Sequence, residues 1–304
     1  MTTTAVKNAD DTWGILGTAV VPWNRDGEFD EGCFRQLVAT LAKGLTKQLY
    51  IFGTAGEGYA VSDQQYARIS QTFLGACREH RAEPMIGIIS LSLPTIQGRI
   101  EQGRDLGCRT FQLSLPAWGV LNDVELDRFF AETCGRFPDC EFHHYNLRRS
   151  GRLLTSVEYR RVADAHSNLV GVKASTRDPA VVADLLTMSP RLKFFFTEFG
   201  YELARRITPQ VGLLISLAAV DFAFARDFVS ADAFRRKQML PALEFLSGGI
   251  REIAAGGMHI DGAFDKMIAR CALPEFPLRL LPPYVGATDA DYEKFRTFLP
   301  SARG

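Results

Sequence analysis

The sequence predicts a (β/α)8 barrel followed by a helical C-terminal extension. Eight short apolar segments with the length of strands recur through the first 219 of the 304 residues, and helix-like segments lie between them. The apolar segments lack strict alternation, which is typical of strands covered on both faces, and strands that alternate with helices pair in parallel. No GxGxxG turn follows the first strand, which disfavours a doubly wound dinucleotide-binding fold.

The first strand is predicted at 14–22, which is apolar and ends at a proline. The amphipathic segment 30–43 follows, with Phe34, Leu37 and Leu41 at helical spacing. The remaining strands are predicted at 48–53, 84–90, 110–116, 140–146, 169–175, 192–199 and 212–219. The remaining helices of the barrel are predicted near 62–80, 95–106, 123–135, 155–166, 178–188 and 200–207.

The chain from about residue 220 onwards is predicted to be helical, with a final helix near 288–299. No change of composition marks a linker, and α/β barrels of about 250 residues commonly form one domain. We therefore expect an N-terminal tail (1–13), the barrel (14–222) and a C-terminal extension packed on it (223–304).

Charge and composition limit the partners that we expect. Basic and acidic residues number 35 each, which argues against a nucleic-acid or anionic-membrane partner because both usually need a basic surplus. No apolar stretch reaches about 18 residues, and the N-terminus lacks the apolar segment of a secretion signal. The six cysteines form no CxxC pair. We therefore expect free thiols and a cytoplasmic location.

Lys173 carries the sharpest chemical signal. Active sites of (β/α)8 barrels lie at the C-terminal ends of the strands, and Lys173 interrupts an apolar strand near such an end. A buried ammonium is costly, burial lowers the pKa of a lysine, and a neutral amine is the nucleophile of Schiff-base chemistry. Gly171 is expected to leave room for this side chain or a ligand. The alternative is a lysine that reaches solvent at the strand end or pairs with a nearby acid.

Two further strand ends carry polar groups. Tyr145 lies near the end of the preceding predicted strand, where its hydroxyl could relay a proton; alternatively it is an aromatic core residue. The turn after the second strand contains Gly53, Thr54, Ala55 and Gly56. Its closely spaced N–H groups could hold a carboxylate, although such turns are common.

Taken together, these motifs resemble the dihydrodipicolinate synthase / N-acetylneuraminate lyase family of class I aldolases. The resemblance covers roughly residues 14 to 300. It is carried, in chain order, by Gly17-Thr18-Ala19 with Asp26-Gly27, Gly53-Thr54-Ala55-Gly56-Glu57, Tyr145-Asn146 and Gly171-Val172-Lys173-Ala174-Ser175.

The resemblance implies a barrel enzyme that forms a lysine Schiff base with pyruvate or another 2-oxo acid, and a homo-oligomer, either a dimer or a tetramer. By position, Lys173 would be the Schiff-base lysine and Tyr145 the proton relay, assisted by Thr54. The turn Thr54-Ala55 would hold the substrate carboxylate, and Ile215 would line the pyruvate pocket. No metal or organic cofactor is expected, because the iminium itself acts as the electron sink.

Several positions depart from the family's synthases. Ala55 stands where they have a second threonine, and Trp118 stands at the second tyrosine of their Pro-Tyr-Tyr run. An indole has no proton acceptor, so the relay through that position should be broken or rerouted, although Trp118 could still contact the substrate. Arg149, or in its place Arg148, matches the arginine for the second substrate's carboxylate; a surface salt bridge is the alternative for either.

The segment after the seventh strand also departs, with Thr197-Glu198-Phe199 in place of Ser-Gly-Asp. These bulkier residues should reshape the pocket mouth, and Glu198 adds a candidate acid. The departures favour a side-branch lyase or dehydratase over the housekeeping synthase. The alternative is an inactive barrel that binds a 2-oxo acid or sugar acid as a sensor or regulatory subunit. His143 and His144 are adjacent on a strand and point to opposite faces, which disfavours a metal-dependent aldolase.

Overall fold

The computed structural model describes residues 12–188, 191–258 and 261–299, and it confirms the predicted barrel. Eight parallel strands close on themselves in the order β1 to β8, with β1 paired to β8. The strands are β1 (Ile15–Thr18), β2 (Gln48–Ile51), β3 (Glu83–Gly87), β4 (Thr110–Leu113), β5 (Glu141–Asn146), β6 (Leu169–Ala174), β7 (Lys193–Phe196) and β8 (Gly212–Leu214).

Helices alternate with these strands and continue beyond them. They are α1 (Glu31–Gly44), α2 (Asp63–Glu79), α3 (Leu93–Asp105), α4 (Asp123–Phe130), α5 (Ser156–Ala165), α6 (Pro179–Met188), α7 (Glu198–Arg205), α8 (Phe222–Ser230), α9 (Ala233–Ala254), α10 (Asp261–Ala272) and α11 (Asp289–Arg296). A π-helical turn, Ala131–Gly135, extends α4. The division of the chain at residues 13 and 222 stays a prediction; residues 1–11 of the expected tail lie outside the described residues.

Local signals explain where the helices begin. Asp30 caps α1 by accepting the N–H of Cys33, and Ser62 and Gln65 form a reciprocal capping box at the start of α2. Each cap satisfies a backbone donor that the helix leaves unpaired and contributes about 1 kcal/mol. The apolar face that the spacing predicts for α1 is buried against the barrel.

Most of the strands are shorter at their C-terminal ends than predicted. β1 ends at Thr18, although the chain stays buried through Val21, and β2 ends before Phe52, whose φ of 59° lies in the left-handed region. β8 ends at Leu214 and gives way to a 3-10 turn, Leu217–Val220. An apolar sequence indicates that a segment is buried and does not by itself indicate a strand. The predicted strands are too long because the segments that follow β1, β2 and β8 are buried as well.

A small apolar cluster fills the inside of the barrel. It consists of Leu16, Tyr50, Met85, Phe195 and Leu214, with Trp13 packed against it. Alternate residues of the same strands face outward and join the larger core under the helices. The inside of the barrel is therefore a packed core.

Two general expectations can also be checked. All six cysteines are free thiols, as expected. None of the helices that the structure describes combines the length and the apolar character that crossing a membrane requires.

A buried ion pair attaches the C-terminal extension to the barrel. Glu57, in the loop after β2, and Lys266, on α10, are both inaccessible to solvent, and Lys266 Nζ lies 2.6 Å from Glu57 Oε1. Trp23 Nε1 donates to the same oxygen at 2.8 Å, and the Leu281 N–H donates to Oε2 at 2.7 Å. Burial lowers the pKa of Lys266 to about 8, an effect that the Glu57 charge opposes. Glu57 thus joins three separate parts of the chain.

We predict that Lys266→Met destabilises the fold by about 3–5 kcal/mol, because it leaves the Glu57 carboxylate buried without its counter-charge. Urea unfolding at neutral pH measures the change. The double variant Glu57→Gln/Lys266→Met should lose less than Lys266→Met alone, because neither charge remains. A single variant as stable as the wild type would contradict this role for the pair.

Candidate active site

A cavity of about 190 Å³ lies at the C-terminal end of the barrel. Four residues that the sequence analysis places at the substrate line it: Thr54, Ala55, Tyr145 and Ile215. The other lining residues come from the ends of further strands and from α10; they are Thr18, Tyr50, Ser175, Thr197, Leu214, Ser216, Asp261, Phe264 and Asp265. The C-terminal extension therefore forms one wall of the cavity.

Lys173 lies directly beside this cavity. Its side chain is 1% exposed, and its Nζ donates a hydrogen bond to Gln112 Oε1 at 2.5 Å. The nitrogen also lies 3.6 Å from the ring centroid of Tyr50 and 4.3 Å from that of Tyr145, and both of these rings belong to cavity-lining residues. Lys173 neither reaches solvent nor forms an ion pair with a carboxylate of residues 12–188, 191–258 or 261–299.

The surroundings of Lys173 favour the uncharged amine. Burial lowers its pKa well below the usual 10.5, and the charge of Asp265 opposes this only in part. Asp265 itself is shifted in the other direction: burial and the nearby Asp261 and Glu198 raise the pKa of its carboxyl well above its ordinary value. Burial therefore favours the uncharged form of both the Lys173 amine and the Asp265 carboxyl.

The turn after β2 brings backbone donors to the same place. Phe52 adopts the left-handed conformation just before Gly53, and a β-carbon on Gly53 would lie 2.8 Å from the Tyr50 ring and 3.5 Å from Lys173 Nζ. Only glycine allows the turn to approach this closely. The N–H groups of Thr54 and Ala55 donate to no group in the described part of the chain, so they are available to an anion.

Tyr145 pairs with Lys173 across β5 and β6. Burial raises the pKa of Tyr145 to about 12, with Asp261 adding to the shift and a hydrogen bond with Thr54 opposing it. The phenol therefore carries its proton at neutral pH. A protonated hydroxyl that faces a cavity beside a neutral amine is suited to donate a proton and take it back.

His143 and His144 are both buried, and the position of His143 contradicts the expectation for Gly171. A β-carbon on Gly171 would lie 2.2 Å from His143 Nδ1, so the space above this glycine is filled by His143; the expectation that it accommodates Lys173 or a ligand is wrong. Burial, with Lys193 and Lys173, lowers the pKa of His143 to about 3. His144 faces the opposite side of the strand, where its Nδ1 lies 2.7 Å from the Tyr159 hydroxyl.

The remaining candidates are Arg149, Arg148 and Trp118. Arg149 makes a bidentate ion pair with Asp261 at 2.9 and 3.2 Å. Arg148 lines a neighbouring cavity of about 440 Å³ that also contacts Ser175, a residue that lines the smaller cavity as well. Trp118 is 90% exposed in the single chain. The substrate-binding roles of these side chains stay predictions.

Glu198 has a structural contact that the sequence did not indicate. It is buried, and its Oε1 accepts the N–H groups of Ser216 at 2.8 Å and Ala218 at 3.0 Å. It therefore holds the turn that follows β8. No group of His, Cys, Asp and Glu side chains in the described ranges is arranged to hold a metal ion.

Four site residues escaped the sequence analysis. Tyr50 and Gln112 each place a polar group within an apolar strand segment, which is a signal of the same kind as that of Lys173. Asp261 and Asp265 lie on α10, more than 80 residues after Lys173 in the sequence. Only the packing of α10 over the barrel brings them to the cavity.

Comparisons with known proteins agree with this architecture. A family model described as "Dihydrodipicolinate synthetase family" matches residues 11–197. A 4-hydroxy-tetrahydrodipicolinate synthase from Nostoc punctiforme is 25% identical over 186 residues, which are 60% of this chain and 61% of the relative. An N-acetylneuraminate lyase from Pongo abelii is 22% identical over 200 residues, 62% of this chain and 60% of the relative. The chain thus spans about 60% of the length of the curated relatives that it matches.

The fold likeness extends further along the chain. The crystal structure of YagE, a prophage protein of the dihydrodipicolinic acid synthase family from E. coli in complex with pyruvate, superposes with a TM-score of 0.78. The match covers 93% of this chain and 96% of YagE at 16% identity. At that identity, the likeness concerns the fold alone.

We predict that the free energy of unfolding of Lys173→Met, relative to that of the wild type, falls as the pH rises from 7 to 10.5. Because burial lowers the pKa of Lys173, the folded wild type binds fewer protons than the unfolded chain below pH 10.5. Its free energy of unfolding therefore rises with pH, by up to about 1.4 kcal/mol per unit, and the methionine variant lacks this contribution.

Urea unfolding of both proteins across this pH range measures the difference. Lys237→Met, at an exposed position of α9, is the matched control and should show no such trend. A stability difference that does not change with pH would mean that Lys173 is charged in the folded protein.

Proposed function

The chain belongs to the dihydrodipicolinate synthetase family, and from this premise we propose that it is a class I aldolase-type lyase or dehydratase. In this proposal Lys173 forms a Schiff base with pyruvate or a related 2-oxo acid. The observation that carries the proposal is the buried Lys173 amine, which has a lowered pKa and no ion pair with a described carboxylate. Its neighbours Tyr50 and Tyr145 line the cavity.

The first step would be attack of Lys173 Nζ on the ketone carbon of the substrate. A C–N bond forms, the carbonyl π electrons move to oxygen, and that oxygen takes a proton from the Tyr145 hydroxyl. A second proton, taken from nitrogen, then passes through Thr54 and Tyr145 to the hydroxyl, which leaves as water and gives the protonated imine. Tyr145 ends this step as a phenolate and would regain its proton from the substrate group that is deprotonated in the next step. The imine withdraws electrons from the neighbouring carbon, so a C–C bond can break or a proton can be lost there without a metal or organic cofactor.

The substrate carboxylate would lie at the turn after β2. The unpaired N–H groups of Thr54 and Ala55 supply hydrogen bonds to an anion, and such bonds are stronger than neutral ones. Ile215 would form the apolar wall beside the methyl or methylene group of the 2-oxo acid. Tyr50 and Tyr145 pack against Lys173 Nζ, so the ketone would approach the nitrogen from a side that these rings leave open.

The charged residues at the mouth of the cavity limit which chemical groups the rest of the substrate can carry. Arg149 is paired with Asp261, so a second carboxylate there would have to compete with the Asp261 side chain. The adjoining 440 Å³ cavity offers space. These features favour cleavage or dehydration of a 2-oxo-3-deoxy sugar acid over condensation with an acidic aldehyde. We also propose a cytoplasmic homo-oligomer, a dimer or a tetramer, without a nucleic-acid or membrane partner.

We predict that borohydride with pyruvate leaves a reduced adduct on Lys173, which peptide mass spectrometry detects. Lys173→Ala should give no adduct, because the nucleophile is gone, whereas Lys237→Ala removes an exposed amine and should give as much adduct as the wild type. A lactate dehydrogenase assay then separates cleavage, which releases pyruvate, from dehydration, which does not. If no 2-oxo acid of a broad panel yields an adduct, the Schiff-base function is wrong.

The same panel addresses the alternative of a binding barrel without turnover. Thermal stabilisation by a 2-oxo acid or sugar acid that survives Lys173→Ala, with no turnover of any tested substrate, would favour a sensor or regulatory subunit.

We further predict that Tyr145→Phe slows adduct formation by about 10²–10⁴-fold, the usual contribution of a positioned proton donor, with the fold unchanged. Tyr292→Phe removes a hydroxyl from α11 and should leave the rate unaltered. Single-turnover trapping measures both variants. A wild-type rate in Tyr145→Phe would show that another group moves the proton.

A further inference from the structure

Gln112 contacts the reactive nitrogen from below the cavity. It lies on β4, which pairs with β3 and β5, and its side chain is inaccessible to solvent. Its amide oxygen accepts the hydrogen bond from Lys173 Nζ at 2.5 Å. No other hydrogen bond of this nitrogen occurs within the described residues, so Gln112 sets the direction in which the amine is held.

Burial of the Gln112 amide at this position is energetically unfavourable. Its Nε2 atom is buried and has no partner in the described part of the chain, and an unpaired buried polar group costs about 1–3 kcal/mol. An apolar side chain would fill the same position beside Phe111 and Leu113 without that penalty. The feature that an apolar residue cannot reproduce is the acceptor oxygen at the lysine.

The acceptor beside the Lys173 nitrogen is an uncharged amide oxygen, and its effect on the amine differs from that of a carboxylate. A carboxylate at this distance would stabilise the ammonium and remove the nucleophile, whereas an amide oxygen orients the amine without adding a charge. A neutral amine has two N–H groups and one lone pair. The bond to Gln112 occupies one N–H, so the lone pair remains free to attack a ketone.

The same oxygen suits the product of the attack. The protonated imine keeps a single N–H and a positive charge, and it would remain between the faces of Tyr50 and Tyr145, which lie 3.6 and 4.3 Å from the present nitrogen. Aromatic faces attract cations, and the remaining N–H can still donate to Gln112. The three groups therefore replace the water that a buried cation would otherwise need.

We propose that Gln112 is a positioning residue for Schiff-base formation, whose uncharged amide oxygen holds the Lys173 nitrogen first as the amine and then as the protonated imine. This inference rests on the proposed function. It assigns to β4 a direct part in the chemistry of β6.

Two substitutions separate positioning from packing. Gln112→Glu keeps the shape and adds a charge, while Gln112→Leu keeps the approximate volume and removes the acceptor. For each variant and the wild type, two pH profiles are measured by peptide mass: acetylation of Lys173 by acetic anhydride, and borohydride trapping of the pyruvate adduct. The other titratable groups around the nitrogen (Tyr50, Tyr145, His143 and Asp265) are the same in all three proteins.

In Gln112→Glu we expect both profiles to move to higher pH and the rates at pH 7 to fall by at least about tenfold, since each unit by which the pKa exceeds the pH lowers the neutral fraction about tenfold. The rates should recover at alkaline pH. In Gln112→Leu we expect an acetylation profile that does not move to higher pH, and slower adduct formation. Gln71→Glu makes the same chemical change on the exposed face of α2 and should shift neither profile.

The inference is overturned if Gln112→Glu shifts neither profile, or if Gln112→Leu forms the adduct at the wild-type rate. Should Gln112→Glu fail to fold, Gln112→Leu decides alone by its adduct rate, provided that its acetylation profile does not move to higher pH. A wild type that forms no adduct refutes the Schiff-base function instead. In that case the acetylation profiles still show whether Gln112 determines the state of the amine.

Discussion

The site depends on one amine that is buried inside a closed barrel. Lys173 is placed by β6 among Gln112, Tyr50 and Tyr145, and none of these carries a charge at neutral pH. Water would solvate an ammonium, and a carboxylate in contact would stabilise one, so the exclusion of both from the nitrogen favours the neutral amine. The packed barrel interior, the glycine turn after β2 and the wall formed by α10 each contribute to that isolation.

Much of this arrangement could be predicted from the sequence, because burial leaves a periodic signal. All eight strands and the helices between them follow from apolar spacing, and Lys173 stands out as a charge in an apolar strand. Strand ends were overestimated because buried turns have the same composition as buried strands. The expectation that Gly171 leaves room for Lys173 or a ligand is wrong, because His143 occupies the space beside this glycine. Only the three-dimensional register shows this contact.

Other parts of the site could not be predicted from the sequence, for a physical reason. Asp261 and Asp265 reach the cavity through the packing of α10, and no local pattern encodes contacts over such a separation. Ion pairing likewise decides what a charged side chain can do. Arg149 is engaged with Asp261, whereas Trp118 is exposed. The identity of these residues was visible, but their partners were not.

Two consecutive residues of α10 contact different parts of the barrel. Asp265 faces the cavity, while Lys266 is fixed to Glu57 on the side of the barrel loops. Neighbours on a helix differ in direction by about 100°, so the anchor also fixes the rotational phase of the helix. A chimera that exchanged the extension for that of another barrel would need to preserve this phase, because an offset of a single residue would direct a different side chain at the cavity.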